Sequence, residues 1–240
     1  LKIHADLQQK SWAWFAARAG KLTGSEMGNL ITDKGKIRAW TTGMPNSYLH
    51  RKLAEKWRGS PLQSFAGNAQ TDQGVMYEEQ ARSYFAALLD ADISECGGIE
   101  SDDNRLWCSP DGIIGDMEGL EIKCPNADTH VGWLLAGGVP EEHVLQCQFS
   151  LYVSKFSTWQ FLSYCKDMPH LAVSVEPDDV LFGIMDVAIE EFYVHFDAAW
   201  KVLVDLNGGE PVPPKPPSSA EPIKFSWDNK DTEKLDDIIY

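Results

Sequence analysis

The most constraining stretch of the chain is Leu120-Glu121-Ile122-Lys123-Cys124, where apolar and polar residues alternate strictly until Pro125 ends the run. Side chains of a strand point to opposite faces in turn, so this period-two pattern describes a strand with one apolar and one polar face. Leu120, Ile122 and Cys124 take the face toward a core, while Glu121 and Lys123 share the face toward a cleft. Just upstream, Leu106 to Ser109 reads as a short strand, Pro110-Asp111-Gly112 breaks it, Ile113-Ile114 resumes it and Gly115 to Gly119 is a turn. That turn folds residues 120–124 back beside 109–114. A hairpin of this kind must cover its apolar face with other elements.

The flanking segments supply helices. Trp12, Phe15 and Ala19 form an apolar stripe that stops at Gly20, and Thr23-Gly24-Ser25-Glu26 starts a second helix through Met27 and Leu30. Residues 46–58 make a third, with Leu49, Leu53 and Trp57 in line, and Gly74 to Leu89 a fourth. Pro140-Glu141-Glu142 opens another, with Pro in the first helical position, acids in the first turn and a stripe of Leu145, Phe149, Tyr152 and Phe156. Residues 158–165 and 171–176 read as strands. Residues 179–206 form a long amphipathic helix of about 40 Å, burying Leu181, Ile184, Ala188, Phe192, Phe196, Trp200 and Leu203. Helices alternating with strands predict an α/β or α+β fold, a central mixed sheet flanked by helices. The expected organisation is one domain over 1–206, with a helical part at 1–60 and the hairpin-bearing part at 61–206. A Pro-rich linker and acidic tail then occupy 207–240.

Charge bears on partners. The 240 residues carry a net charge of −15, which taken whole argues against nucleic acid. The distribution says otherwise: residues 1–60 hold 11 Lys and Arg against 4 Asp and Glu, whereas every later segment of sixty is acidic. Such asymmetry points to a charged partner at one end, although basic residues also coat ordinary solvated helices. No apolar run approaches the roughly 18 residues of a membrane span, and Leu1 to Asp6 has neither the basic nor the apolar part of a secretory signal. The five cysteines include no CxxC pair, which disfavours a disulfide framework, a zinc ribbon or an iron–sulfur cluster and fits reduced cytosolic thiols.

The chemistry concentrates on Asp111, Glu121 and Lys123. The hairpin turn brings Asp111 toward Glu121, and two carboxylates held close repel unless a cation lies between them. A hard divalent ion such as Mg²⁺ suits oxygen ligands, and a nearby lysine can stabilise a hydroxide nucleophile or developing phosphorane charge. The same spacing also describes a plain amphipathic hairpin with a surface Glu–Lys pair, which would mean little.

The residues around the hairpin resemble a known family. Ser109-Pro110-Asp111-Gly112 followed by Leu120-Glu121-Ile122-Lys123-Cys124-Pro125 resembles the core of the PD-(D/E)XK nuclease superfamily, in particular the lambda-type phage exonucleases or YqaJ-like viral recombinase nucleases. Three more stretches match in order. Trp14 to Ser25, with Arg18, Gly20, Thr23 and Ser25, resembles the family's phosphate-binding stretch. Gly74-Val75-Met76-Tyr77-Glu78 resembles its G-x-x-Y-E helix, and Gln146-Cys147-Gln148 through Tyr152 its Q-x-Q helix. The resemblance covers roughly residues 12–205.

This resemblance implies Asp111, Glu121 and the backbone carbonyl of Ile122 as metal ligands, Lys123 as the residue that positions or activates water, and Glu78 at the edge of the centre. Arg18, Thr23 and Ser25 would hold the 5′-phosphate of the degraded strand, on hydroxyl donors, a guanidinium fork and a helix N-terminus. Ser109, Gln148 and Tyr152 would be supporting residues. Gln146 and Gln148 lie about 200° apart on a helix, so only one can face the metal, and Gln146 is the preferred one. The implied activity is a Mg²⁺-dependent 5′→3′ exonuclease on linear duplex DNA, with Mn²⁺ substituting. It implies release of 5′-mononucleotides, a ring-shaped homotrimer, a single-strand annealing protein as partner and a phage or prophage origin in a bacterial cytoplasm. Two alternatives stand beside it: a structure-specific endonuclease or resolvase of the same superfamily, and a non-catalytic DNA-end-binding module. The family's apolar strand-separating wedge has no counterpart at Thr71, Asp72 and Gln73; Leu62 or Phe65 could take that part.

Overall fold

The computed structural model describes residues 1–41, 43–60, 62 and 69–212. Its larger sheet runs β3 (Ile93–Ser94), β6 (Gly112–Ile114), β7 (Glu118–Lys123), β8 (Thr158–Ser163) and β9 (Leu171–Val175) in that spatial order. A smaller one runs β1 (Lys2–Ile3), β4 (Ile99–Glu100), β5 (Leu106–Cys108) and β2 (Leu22–Thr23). The larger sheet is mixed, as expected, and a smaller second sheet accompanies it. The break falls after Cys108, where Pro110 has no N–H for a ladder and the chain passes from one sheet to the other.

The hairpin forms in the register Gly112↔Leu120, Ile113↔Gly119, Ile114↔Glu118, with Gly115 at φ 57° in the turn. Across β7, pairing with β8 is parallel, from Glu118↔Thr158 to Lys123↔Ser163. A parallel pair needs a crossover, here built from α4 (Ala127–Ala136) and α5 (Glu141–Ser154). Helix α4 escaped the sequence reading; its signals are Asn126 in the N-cap position and Gly137 in the left-handed conformation at its end, φ 72°. Leu120 and Ile122 of β7 bury against Ala81 and Phe85 of α3 (Ala69–Leu89), with Ile114 and Leu162. Gly119 sits directly against Trp159 of β8, where a Cβ would lie 2.2 Å from the indole ring. Trp159 is fully buried, so Gly119→Ala is expected to lower stability by about 1–3 kcal/mol, the usual cost of overpacking, read as a lower urea midpoint at unchanged slope.

The main core lies between α5, α6 (Asp179–Asn207), α2 (Gly43–Arg58) and the smaller sheet, with Leu22, Met27, Tyr48, Phe149, Phe192 and Phe196 at its centre. Asp178 caps α6 by accepting from Val180 and Leu181 N–H, each at 3.0 Å. Helix α5 is buried almost all round from Leu145 to Ser154, which is why a single apolar stripe describes it poorly. Pro140 stands in its N-cap position rather than in its first turn, and Phe156 lies beyond its end.

Two N-terminal expectations change. In α1 (Trp12–Arg18) the buried anchor is Trp14, not Trp12 or Phe15; its indole N–H donates to the Gly97 carbonyl at 2.7 Å. Residues Gly24–Asn29 form a short 3-10 segment, not an α-helix, and Thr23 makes no capping hydrogen bond to it. Among the described residues no helix is long and apolar enough to cross a membrane. Leu62 is exposed. Phe65 and the Pro-rich, acidic stretch after residue 212 lie outside the described residues.

Candidate active site

The hairpin geometry sets the first two acids. Asp111 is joined to β7 twice: its backbone N–H donates to the Leu120 carbonyl at 2.8 Å, and its Oδ2 accepts from Ile122 N–H at 2.7 Å. Glu121, one residue along and on the opposite face from the apolar pair, is 2% exposed. Its Oε1 accepts from Lys123 Nζ at 2.5 Å and from Gln146 Nε2 at 2.6 Å. The polar face of the strand thus looks into a cleft, as its alternation suggested, with Glu121 buried at the bottom and Lys123 partly exposed.

Helix α3 brings Glu78 to the rim. Its carboxylate lies 3.3 Å from Arg82 and 3.7 Å from Lys10. The opposite wall comes from the N-terminal segment. Arg18 stacks its guanidinium on Trp14, 4.3 Å from the ring centroid, an arrangement that favours a planar cation on an aromatic face. Burial lowers the pKa of Arg18 while the charges of Glu26 and Glu55 raise it; the group stays protonated regardless.

One cleft of about 230 Å³ collects these groups: Arg18, Thr23 and Ser25 on one side, Glu78, Asp111 and Glu121 on the other, with Ser109, Ile122, Lys123 and Gln146 between them. Residues expected from four separate stretches of sequence therefore share one space. Thr23 is buried, and its hydroxyl proton is committed to Glu26 at 2.8 Å, so it supplies no free donor to a phosphate. Glu26 in turn is held by Lys52 at 2.7 Å and Arg51 at 2.9 Å. Ser109 Oγ accepts from the Trp107 indole N–H at 2.8 Å. Gln148 and Tyr152 do not line the cleft. Gln148 donates to the Glu176 carbonyl at 2.8 Å and accepts from Asp178 N–H at 3.0 Å, while the Tyr152 hydroxyl donates to Asp186 at 2.5 Å. Both fasten α5 to the start of α6.

Sequence reading missed four contributors. Arg82 was detectable as the i+4 partner of Glu78. Trp14 was likewise detectable four residues before Arg18, and Glu26 three residues after Thr23; Gln9 carries no local signal, because its partners lie 87 and 101 residues away.

The electrostatics are those of an acid pair short of positive charge. Burial first, and then the charges of Glu121 and Glu78, push the Asp111 carboxyl well above its ordinary range. Burial alone would lower the Lys123 pKa, but Glu121 and Asp111 hold it above the usual lysine value. Burial and the neighbouring Glu78 and Asp111 charges push the Cys124 thiol up to about 12, so no thiolate forms there at neutral pH. Oxygen donors therefore dominate the cleft, which suits a hard divalent cation. Among the described residues no three His, Cys, Asp or Glu groups close into a cage. Mg²⁺ needs none, since it is held by one or two carboxylates together with waters and substrate phosphate. Asp111 and Glu121 fit that requirement.

A family model for the YqaJ-like viral recombinase domain matches residues 13–157, a span that holds every cleft residue from Arg18 to Gln146. The chain belongs to the YqaJ-like viral recombinase family. Its fold is the mixed α/β arrangement of PD-(D/E)XK-type exonucleases. LHK-Exo in complex with dAMP matches with a TM-score of 0.71 and 25% identity, over 82% of this chain and 97% of that one. LHK-Exo is an alkaline exonuclease from Laribacter hongkongensis, and a second structure of it gives a TM-score of 0.70 at 25% identity over the same shares of the two chains. A phage-related exonuclease from Haemophilus somnus 129PT matches in fold, with a TM-score of 0.58 and 14% identity over 76% of this chain and 96% of that one. No curated protein sequence matches at a significant level.

Proposed function

We propose that this YqaJ-like protein is a Mg²⁺-dependent exonuclease that degrades one strand of linear duplex DNA 5′→3′, releases 5′-mononucleotides and leaves a 3′ single strand for annealing-type recombination. Mn²⁺ substitutes for Mg²⁺. The observation that carries this reading is the meeting of Asp111, Glu121 and Lys123 with Arg18 and Ser25 in one cleft of about 230 Å³. An acid pair, a lysine and a stacked guanidinium facing one cleft are a good arrangement for a phosphodiester. The similarity to the alkaline exonuclease LHK-Exo supports the same class.

In this reading Asp111, Glu121 and the Ile122 carbonyl hold the cation. When bound, it supplies positive charge to the scissile phosphate and acidifies the attacking water. Lys123, kept protonated by the carboxylates around it, orients that water and offsets charge developing on phosphorus. Gln146 fixes Glu121 Oε1. Arg18, made rigid by stacking on Trp14, presents its fork to the 5′-phosphate with the exposed Ser25 beside it. A homotrimeric ring and a single-strand annealing partner belong to the proposal as the assembly that would make degradation processive, in the cytoplasm of a bacterial host.

The test uses linear duplexes labelled at either the 5′ or the 3′ end, with 5′-phosphate or 5′-hydroxyl termini, alongside covalently closed circles. Mononucleotides released from 5′-phosphorylated ends, with circles left intact, support the proposal. Cutting of circles favours a structure-specific endonuclease, and metal-independent end binding without products favours a non-catalytic module. Arg18→Ala is expected to lose most of the preference for 5′-phosphate over 5′-hydroxyl ends, about 10-fold or more, since charge-assisted bonds to phosphate contribute ~1.5–3 kcal/mol.

A further inference from the structure

The residues between β5 and β6 belong to neither sheet. Chain order takes β5 in the smaller sheet to β6 in the larger through Ser109, Pro110 and Asp111, so no strand ladder holds the carbonyls of that turn. Two side chains hold them instead. The Pro110 carbonyl accepts from Gln9 Nε2 at 2.9 Å, and the next one, that of Asp111, accepts from Arg82 Nε at 2.7 Å. Each of these side chains is itself tied down. Gln9 Nε2 also donates to the Cys96 carbonyl at 2.8 Å. Its segment is bonded to the Gly97–Gly98 backbone, with His4 N–H donating to Gly98 O at 2.9 Å and Gly97 N–H to His4 O at 3.0 Å. Arg82 uses its remaining nitrogens on Glu95 at 2.8 Å and Glu78 at 3.3 Å.

We propose that Gln9 and Arg82 are positioning residues that clamp the turn bearing Asp111 and so set how tightly the site takes its divalent cation; this rests on the reading of Asp111 and Glu121 as cation ligands. The carboxylate of Asp111 is fixed at one oxygen by Ile122 N–H. Its aim then depends on the orientation of the peptide planes on either side of its Cα, and these are the planes whose carbonyls Gln9 and Arg82 grip. Arg82 does more than supply charge, because its planar fork bonds the Asp111 backbone and Glu78 at once and thereby registers α3 against the hairpin. A lysine carries its donors on a single nitrogen and cannot reproduce the spacing of the fork that reaches the Asp111 carbonyl, Glu78 and Glu95 together. Both side chains line a groove of about 550 Å³ that adjoins the cleft and shares Glu78 and Asp111 with it, so truncating them opens space to solvent rather than a void in the core.

Partners behind first-row ligands commonly change metal affinity 10–100-fold. Calorimetric titration with Mn²⁺ is the test, on the full chain and on Gln9→Ala, Arg82→Ala, Arg82→Lys and Asp111→Asn. The expected result is a Mn²⁺ Kd weakened about 10–100-fold in Arg82→Ala and about 10-fold in Gln9→Ala. Arg82→Lys should remain close to Arg82→Ala, KM for duplex ends should stay within about twofold of wild type, and saturating Mn²⁺ should restore the rate. Wild-type Mn²⁺ affinity in both alanine variants overturns the clamp, as does restoration of the affinity by lysine. If Arg82→Ala does not fold, Gln9→Ala decides by the same measurement. The underlying reading fails separately, and takes the clamp with it, if the unaltered protein binds no Mn²⁺ or if Asp111→Asn binds it equally well.

Discussion

Lys123→Ala is expected to slow mononucleotide release by roughly 10²–10³-fold, the usual cost of removing one charge aimed at a developing oxyanion, with little change in KM for duplex ends. Lys123 touches Glu121 at 2.5 Å and lies in the cleft with Asp111. Its ammonium acts on the reacting centre through charge, and substrate binding draws on Arg18 and the rest of the phosphate wall. Burial works against that charge but Glu121 and Asp111 outweigh it and raise the pKa above the lysine norm. No limb of the wild-type pH–rate profile below about pH 10 should therefore come from deprotonation of Lys123. Initial rates against duplex concentration, measured from pH 6 to pH 10 for both proteins, check both parts. A loss carried by KM rather than kcat would move Lys123 from the chemical step to substrate binding.

Asp111→Asn is expected to abolish activity and, without metal, to stabilise the fold. In the folded chain the Asp111 carboxyl is held above its ordinary range by burial and then by the Glu121 and Glu78 charges. In the unfolded chain it ionises near pH 4. A carboxyl raised on folding contributes stability below its unfolded value and loses it as pH rises through the folded value. The metal-free protein should therefore weaken toward neutral and alkaline pH. Asn removes the ionisation and keeps an oxygen for the Ile122 N–H. A relief of about 1–3 kcal/mol, the scale of a poorly compensated buried polar group, raises Tm by ~2–4 °C per kcal/mol in a chain of this size. Melting curves at pH 4 and pH 8 check the sign: variant and wild type should coincide at pH 4, and the variant should melt higher at pH 8. Adding Mg²⁺ or Mn²⁺ should reverse the order, because only the wild type gains stability from ligand binding. An Asn variant that melts lower than wild type at pH 8 without metal would show that the carboxylate is structurally compensated, and would weaken the case for a cation between Asp111 and Glu121.

Together the two substitutions describe a site arranged for chemistry at some cost to stability. Glu78, Asp111 and Glu121 share one cleft, and burial penalises the charge on Asp111. Among the described residues the compensating cations are Lys123 at Glu121, and Arg82 and Lys10 at Glu78. The Asp111 carboxylate accepts from the Ile122 N–H and feels the Lys123 charge without an ion pair of its own among the described residues, the condition under which a divalent ion gains most.

Much of the fold was legible because it rests on local periodicity. The alternation at 120–124 defined the hairpin and put Glu121 and Lys123 on one face, and the four-residue spacing of Ala188, Phe192 and Phe196 defined the long helix and its buried side. The parts that misread are those where long-range contacts override local preference. Trp14 outranks Trp12 as the anchor of α1 because the Gly97 carbonyl lies within 2.7 Å of its indole. The segment after Thr23 tightens into a 3-10 turn because Gly24 packs against α5, where even a methyl group would come 3.1 Å from the Gln146 carbonyl.

By itself the sequence determined the acid–lysine hairpin, most of the helices around it and, through four ordered motifs, the family. Those depend on side-chain period and residue type, which are written locally. The tertiary structure alone decided which glutamine meets Glu121, that the Thr23 hydroxyl serves Glu26, that Glu121 is buried at the bottom of the cleft, and that Gln9 and Arg82 grip successive carbonyls of the Asp111 turn. Gln9 and the Pro110 carbonyl are 101 residues apart. Nothing along the chain couples them until the two sheets are in place.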